Sequence, residues 1–173
     1  MTVVTEGQRS EHEKIRLEHE AAKLFMRCYE SNTNKPIRHI WHNQPMRPDV
    51  SCTLEGEKLD LEIAHLYGSE AEAMAILGRE LSEQTQAELH SLDQEADERL
   101  LKALNRILLN KAGKRYHTNK VWLVIRNTHP QWSKDEIKKL FGHITVPEGH
   151  PFEKIWMVAD MEAKTGIVRL YPS

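Results

Sequence analysis

Apolar positions near the start of the chain recur at helical spacing. From Ser10 to Glu30, residues Ile15, Ala22, Phe25 and Tyr29 lie 7, 3 and 4 apart and share one helical face. Ser10 followed by Glu13 reads as a capping box, and Asn32, Asn34 and Pro36 end the helix. Three extended pieces follow. Ile37–His42 alternates loosely, and Asp49–Leu54 comes after Pro45 and Pro48. Leu59–His65 alternates Leu59, Leu61 and Ile63 against Asp60, Glu62 and Ala64. The polar stretch Glu55-Gly56-Glu57-Lys58 predicts a hairpin between the last two. From Ser69 to about Ala112 the spacing is helical throughout, as two helices or one bent at Gly78. Its apolar stripe comprises Leu89, Leu92, Ala96, Leu100, Leu104, Ile107 and Leu108, with Gly113 as the expected C-cap. Val121–Arg126 reads as a buried strand. Ser133–Phe141 reads as a short helix with a capping box at Ser133 and Glu136. Ile155–Ala159 and Ile167–Leu170 complete the strands, the last after a Lys164-Thr165-Gly166 turn. This order predicts an α/β domain with a mixed sheet and helices on both faces.

The length of 173 residues suits one domain, with residues 1–9 expected as a flexible tail. No apolar run approaches the roughly 18–20 residues that span a bilayer, and the first residues do not read as a signal peptide. Two cysteines, Cys28 and Cys52, make neither a disulfide framework nor a zinc site. Reduced thiols and a cytoplasmic location are the expectation. The formal charge of -2 speaks against a strongly basic coat protein but leaves room for one local basic face. The ten histidines form no metal-ligand pattern; His12 and His19 lack a third partner, and His39 and His42 fall on opposite strand faces. No Gly-rich phosphate loop and no G-x-S-x-G elbow occur.

The candidate chemistry lies in carboxylates. Asp60, Glu62 and Ala64 share one face of their strand, opposite Leu59, Leu61 and Ile63. A hairpin could bring Asp49 beside Glu62, and carboxylates converging there call for a cation, with Mg²⁺ the natural partner of hard oxygen ligands. Plainer roles stay open: Asp49 as a turn residue, Asp60 as a solvated residue on a half-exposed strand, Glu62 as an exposed ion-pair partner. Glu18 lies on the apolar face of the first helix, four residues before Ala22 and seven before Phe25. Lys111 lies on the core-facing stripe at its helix end, three residues after Leu108, where it could also merely snorkel. His65 is expected to hydrogen-bond inside the core. Lys114, Arg115, His117 and Lys120 continue a basic cluster near Tyr116 and Trp122, suited to a phosphate backbone. Lys134, Lys138 and Lys139 read as a solvated surface, and the acids from Glu80 to Glu98 would repel nucleic acid.

Pro48-Asp49, a hairpin, and then Glu62-x-Ala64 resemble the PD-(D/E)xK nuclease superfamily, over roughly residues 10–126. The resemblance implies a single restriction-endonuclease-like domain and a divalent-metal-dependent nuclease acting on DNA, possible as a homodimer. It implies Mg²⁺ or Mn²⁺ held by Asp49 and Glu62, with Glu18 as a further ligand. The family's lysine is missing: its place is Ala64 if Glu62 is the second acid, and Glu62 if Asp60 is. In the first registration Lys111 is the candidate migrated lysine, with Lys114, Arg115 and Lys120 on the nucleic acid. The missing lysine also admits an inactive relative acting as a nucleic-acid or protein binding module.

Overall fold

A computed structural model describes residues 6–43, 48–67, 96–116, 118, 120–129 and 132–172. The elements are α1 (Glu6–Thr33), β1 (Ile37–His42), β2 (Val50–Leu54), β3 (Glu57–Leu66), α2 (Ala96–Ala112), β4 (Val121–Asn127), α3 (Lys134–Lys139), a 3₁₀ turn (Phe141–His143), β5 (Lys154–Val158) and β6 (Ile167–Tyr171). The expected helix from Ser69 to Glu95, with the candidate bend at Gly78, the stripe residues Leu89 and Leu92 and the acids from Glu80 to Glu95, lies outside the described residues, as do the basic residues Arg47 and His117.

The described strands form a mixed sheet in the order β1-β2-β3-β4-β5-β6. β1, β2 and β3 form an antiparallel meander, β4 and β5 run parallel to β3, and β6 returns antiparallel. The β2–β3 hairpin pairs Leu54 with Glu57 across a two-residue loop. Glu55 and Gly56 both adopt positive φ, 51° and 83°, as a tight turn matched to strand twist requires.

The two faces of the sheet carry separate cores. Phe25, Met26 and Tyr29 of α1 pack against Val50, Cys52, Leu59, Leu61 and Ile63 on one face. Leu100, Leu104 and Leu108 of α2 pack with Leu123, Ile125 and Ile155 on the other. Covered on both sides, β4 is buried at every position, which explains its unbroken apolar run. Each parallel crossover needs a covering segment, and α2 and α3 lie in the β3–β4 and β4–β5 connections.

Two boundaries differ from expectation. α1 begins at Glu6, so residues 6–9 belong to the helix and Ser10 does not cap its start. Gly113 follows α2, but its φ is not left-handed; instead Lys114 N–H donates to the Lys111 carbonyl at 3.1 Å. Ser133 caps the start of α3 as expected, its Oγ accepting from Glu136 N–H at 3.3 Å.

Phe25 is the pivot of the α1 face. Its ring lies 5.8 Å from Tyr29, 6.1 Å from Trp122 and 5.6 Å from Trp156. Phe25→Ala should therefore cost about 3–5 kcal/mol of unfolding free energy. Urea denaturation checks this; a loss below about 1 kcal/mol would show that the rings collapse into the space.

Candidate functional site: a buried carboxylate pair

β2 and β3 pair so that Val50 faces Leu61 and Ser51 faces Asp60. One position outward, that register sets Asp49 opposite Glu62. Both side chains lie on the α2 side of the sheet, because Val50 and Leu61 point to α1. Glu62 is wholly buried and Asp49 is 8% exposed. The two carboxyls hydrogen-bond to each other. Asp49 Oδ2 also accepts from the Ile63 backbone N–H at 3.0 Å.

Two further groups converge on Glu62. The Tyr116 hydroxyl donates to Oε2 at 2.6 Å, and Lys111 Nζ lies 3.4 Å from the same oxygen. Helix geometry places Lys111: one turn past Leu108 on the buried stripe, it leaves the helix end toward β3. Its side chain is 17% exposed, so the ammonium is largely withdrawn from water. Tyr116 arrives from the loop after α2, braced by Phe152 at 5.8 Å.

Burial first, then the hydrogen bond to Glu62 and the charge of Glu62, push the Asp49 carboxyl up to about 7. The Ile63 N–H opposes this shift, and the Glu18 charge adds to it. One proton and one ammonium thus balance two carboxylates, and the buried group is neutral while that proton stays.

Asp60 stands apart from this pair. It is 2% exposed, which corrects the expectation of a solvated residue on a half-exposed strand. β3 is an interior strand, so its acidic face is covered as fully as its apolar one. Ser51 Oγ donates to Asp60 Oδ1 at 2.5 Å, Asn43 Nδ2 donates to Ser51 Oγ at 2.7 Å, and Lys58 Nζ lies at 3.7 Å. The readings of Asp49 as a plain turn residue and Glu62 as an exposed ion-pair partner do not describe these buried, mutually bonded groups.

Glu18 is 5% exposed on α1, as its face predicts. Its Oε2 meets His42 Nε2 at 2.9 Å, and Lys14 Nζ lies 3.9 Å from Oε1. It acts on Asp49 through its charge. The sequence offers no signal for His42, 24 residues away on another element, nor for Tyr116, 54 residues from Glu62.

Lys114 and Arg115 precede Tyr116 in the segment after α2, and Lys120 precedes β4, so none of the three is brought onto the carboxylate pair. The Arg115 guanidinium donates to the carbonyls of Ala112 and Lys114 at 3.1 and 2.7 Å. Lys120 Nζ lies 3.5 Å from Glu57. On the other side of β3, burial holds His65 neutral, lowering it to about 4, with the Arg126 charge adding to the shift, and its buried Nε2 meets no hydrogen-bond partner among the described residues, contrary to the expected core hydrogen bond. Arg126, 1% exposed, donates to the Met161 carbonyl and to Glu20. That group is a structural tie between β4, α1 and the β5–β6 loop.

Among the described residues, no group of three or more His, Cys, Asp or Glu side chains is gathered as a metal cage. No described helix is long and apolar enough to cross a membrane. Cys28 and Cys52 are unbridged, and burial pushes the Cys52 thiol up to about 12. Comparison with protein-family models, curated proteins and solved structures finds no match.

The proton on the pair sets a testable pH dependence. Asp49 binds its proton more tightly folded than unfolded, where its ordinary value is 3.8. Its stabilising contribution is therefore complete below about pH 4 and is lost as pH rises through about 7. In chelator, Asp49→Asn should lose less stability than wild type between those limits. Thermal melts across the range read the difference; parallel curves would mean that the proton is not held.

Proposed function

We propose that this protein is a divalent-metal-dependent nuclease that hydrolyses phosphodiester bonds in DNA. The observation that carries the reading is the Asp49–Glu62 pair, buried, mutually hydrogen-bonded and faced by the Lys111 ammonium. Two carboxylates held together by a proton form a donor set that a dication can take over by displacing it. Mg²⁺ commonly uses only one or two carboxylates, with waters and substrate phosphate completing its shell, so a pair suffices. Held by Asp49 and Glu62, the ion would supply charge neutralisation and Lewis acidity at the scissile phosphate.

The chain's own groups have separable tasks. Ile63 N–H fixes the Asp49 carboxyl, and the Tyr116 hydroxyl fixes Glu62. Lys111 places a positive charge where negative charge would develop on the phosphoryl oxygens. Lys114, Arg115 and Lys120 would meet the phosphate backbone, which requires Arg115 and Lys120 to leave their present partners. Glu18 contributes negative charge near the pair, as a further ligand directly or through water.

The reading accords with the resemblance to the PD-(D/E)xK superfamily and its restriction-endonuclease-like core. A helix, three strands, a helix and a strand are the order that core would require, and the described elements follow it, with β1–β3 antiparallel and β4 parallel to β3. Lys111 then takes the part of the lysine whose strand position is occupied by Ala64. A second reading keeps the fold and drops the catalysis, leaving a nucleic-acid or protein binding module. It is favoured by the Glu18 contact with His42 and by the lack of a three-acid group among the described residues.

The deciding experiment incubates plasmid, linear duplex, single-stranded DNA and RNA with Mg²⁺ or Mn²⁺. Wild type should cut DNA only with metal, and Asp60→Ala should retain activity in proportion to its folded fraction. Glu62→Gln and Lys111→Met should each lose about 10²-fold or more, the scale of losing a group that stabilises transition-state charge. No cleavage of any substrate by folded protein would move the assignment to the binding module. Metal binding has its own readout. Mn²⁺ should raise the Tm of wild type above pH 7 and leave Asp49→Asn unmoved.

A further inference from the structure

A cleft of about 620 Å³ lies between α3, the residues after it and β6. Its walls carry three cations, Lys134 and Lys138 from the helix and Arg169 from the strand, and its lining contains no carboxylate. Phe141 and Tyr171 stand at its margins with 41% and 37% of their surface exposed. Its floor is apolar, built from Ile144, Val146 and Val168.

Each part has a reason to be where it is. Lys134 is held by the Thr165 carbonyl at 3.0 Å, which fixes that wall to the β5–β6 turn. Lys138 and Arg169 are exposed on opposite sides. Tyr171 is braced edge-on by His150 at 4.3 Å and 90°, so its ring keeps one orientation while remaining open to solvent. Large exposed rings beside cations in a lining without carboxylates are what a ligand with flat faces and a regular anionic backbone requires. An aliphatic anion would use the floor and leave the rings without a task. An acidic peptide would use the cations alone.

We propose that this cleft binds single-stranded nucleic acid, with a base stacked on Tyr171 or Phe141 and backbone phosphates met by Lys138 and Arg169. The site is distinct from the carboxylate pair. Tyr171 pairs with Ile155, which pairs with Leu123, which pairs with Glu62, so both sites lie on one row of the sheet. Three strand spacings separate them, on the order of 14 Å, a span of a few nucleotides. That this strand feeds the carboxylate pair rests on the nuclease reading; the binding itself does not.

The test is fluorescence anisotropy of a labelled oligothymidylate with the full chain in chelator, so that nothing is cut. Wild type should bind the strand, more tightly than a duplex of equal length. Lys138→Glu with Arg169→Glu should weaken binding about tenfold or more, and Phe141→Ala with Tyr171→Ala about fivefold or more at unchanged charge. All four residues are exposed at the surface, and unchanged melting curves would show that the variants fold. Glu62→Gln should bind like wild type, so loss of cleavage and loss of strand binding are read separately. No binding by wild type, or unchanged affinity in either double variant, would overturn the proposal. Equal displacement by polyglutamate would replace the strand with an acidic peptide. Equal displacement by thymidine monophosphate would reduce the site to one for a free nucleotide. Either result would overturn the strand assignment.

Discussion

Two carboxyl groups forced together out of water are the constraint around which this domain is arranged. Asp49 and Glu62 face each other across an antiparallel ladder and are closed over by α2 and the segment after it. An isolated charge there would be costly, and two would be more so. The structure answers with groups from separate elements: a backbone N–H from β3, a hydroxyl from residue 116 and an ammonium from the end of α2. None of these comes from a chain neighbour of Glu62 except the Ile63 amide. The pair therefore ties the placement of α2 to that of the hairpin. The remaining negative charge is balanced by a proton, the component that exchanges with solvent as pH rises through about 7.

Buried polar groups elsewhere show why that last point matters. Arg126 is as deeply buried as Glu62, yet its Nε and Nη2 are directed at the Met161 carbonyl and Glu20. Asp60 is similarly closed by Ser51 and Asn43, a hydrogen-bonded chain that holds β1, β2 and β3 in register. Such ties stabilise one arrangement. The Asp49–Glu62 pair differs because desolvation and mutual repulsion hold one carboxyl protonated near neutrality, in the range where a cation or a substrate can compete. Burial alone does not distinguish these acids; what differs is whether the balancing charge is exchangeable.

Much of this architecture was legible in residue order. Periodicity placed each described strand to within a few residues, because apolar alternation and unbroken apolar runs report burial directly. Gly56 between two strand patterns marked the hairpin, and the hairpin predicted that Asp49 would meet Glu62. Lys111 was legible as a core-facing position by its spacing from Leu104 and Leu108. Asp60 was misread because alternation of Leu and acid on β3 looks like one wet face. The strand lies inside the sheet beneath α2, and only the tertiary arrangement shows that its acid face is covered too. Tyr116, His42 and Ser51 carried no signal, since each meets its partner through folding rather than through local spacing.

The absence of a lysine at Ala64 is weaker evidence against chemistry than a linear motif suggests. A motif written along one strand encodes where a side chain starts, whereas the reaction depends on where its charge ends. Lysine carries a point charge on a flexible four-carbon stem, so its ammonium can reach one location from several backbone positions. From the last turn of α2, Lys111 sets its Nζ 3.4 Å from Glu62 Oε2. That end of the helix carries the negative pole of the backbone dipole, which favours a cation there before any carboxylate is considered. A lysine at residue 64 would have to be accommodated on an interior strand already flanked by packed neighbours. With the cation at the helix end, the strand is left to packing, and the balancing charge and the covering helix arrive together.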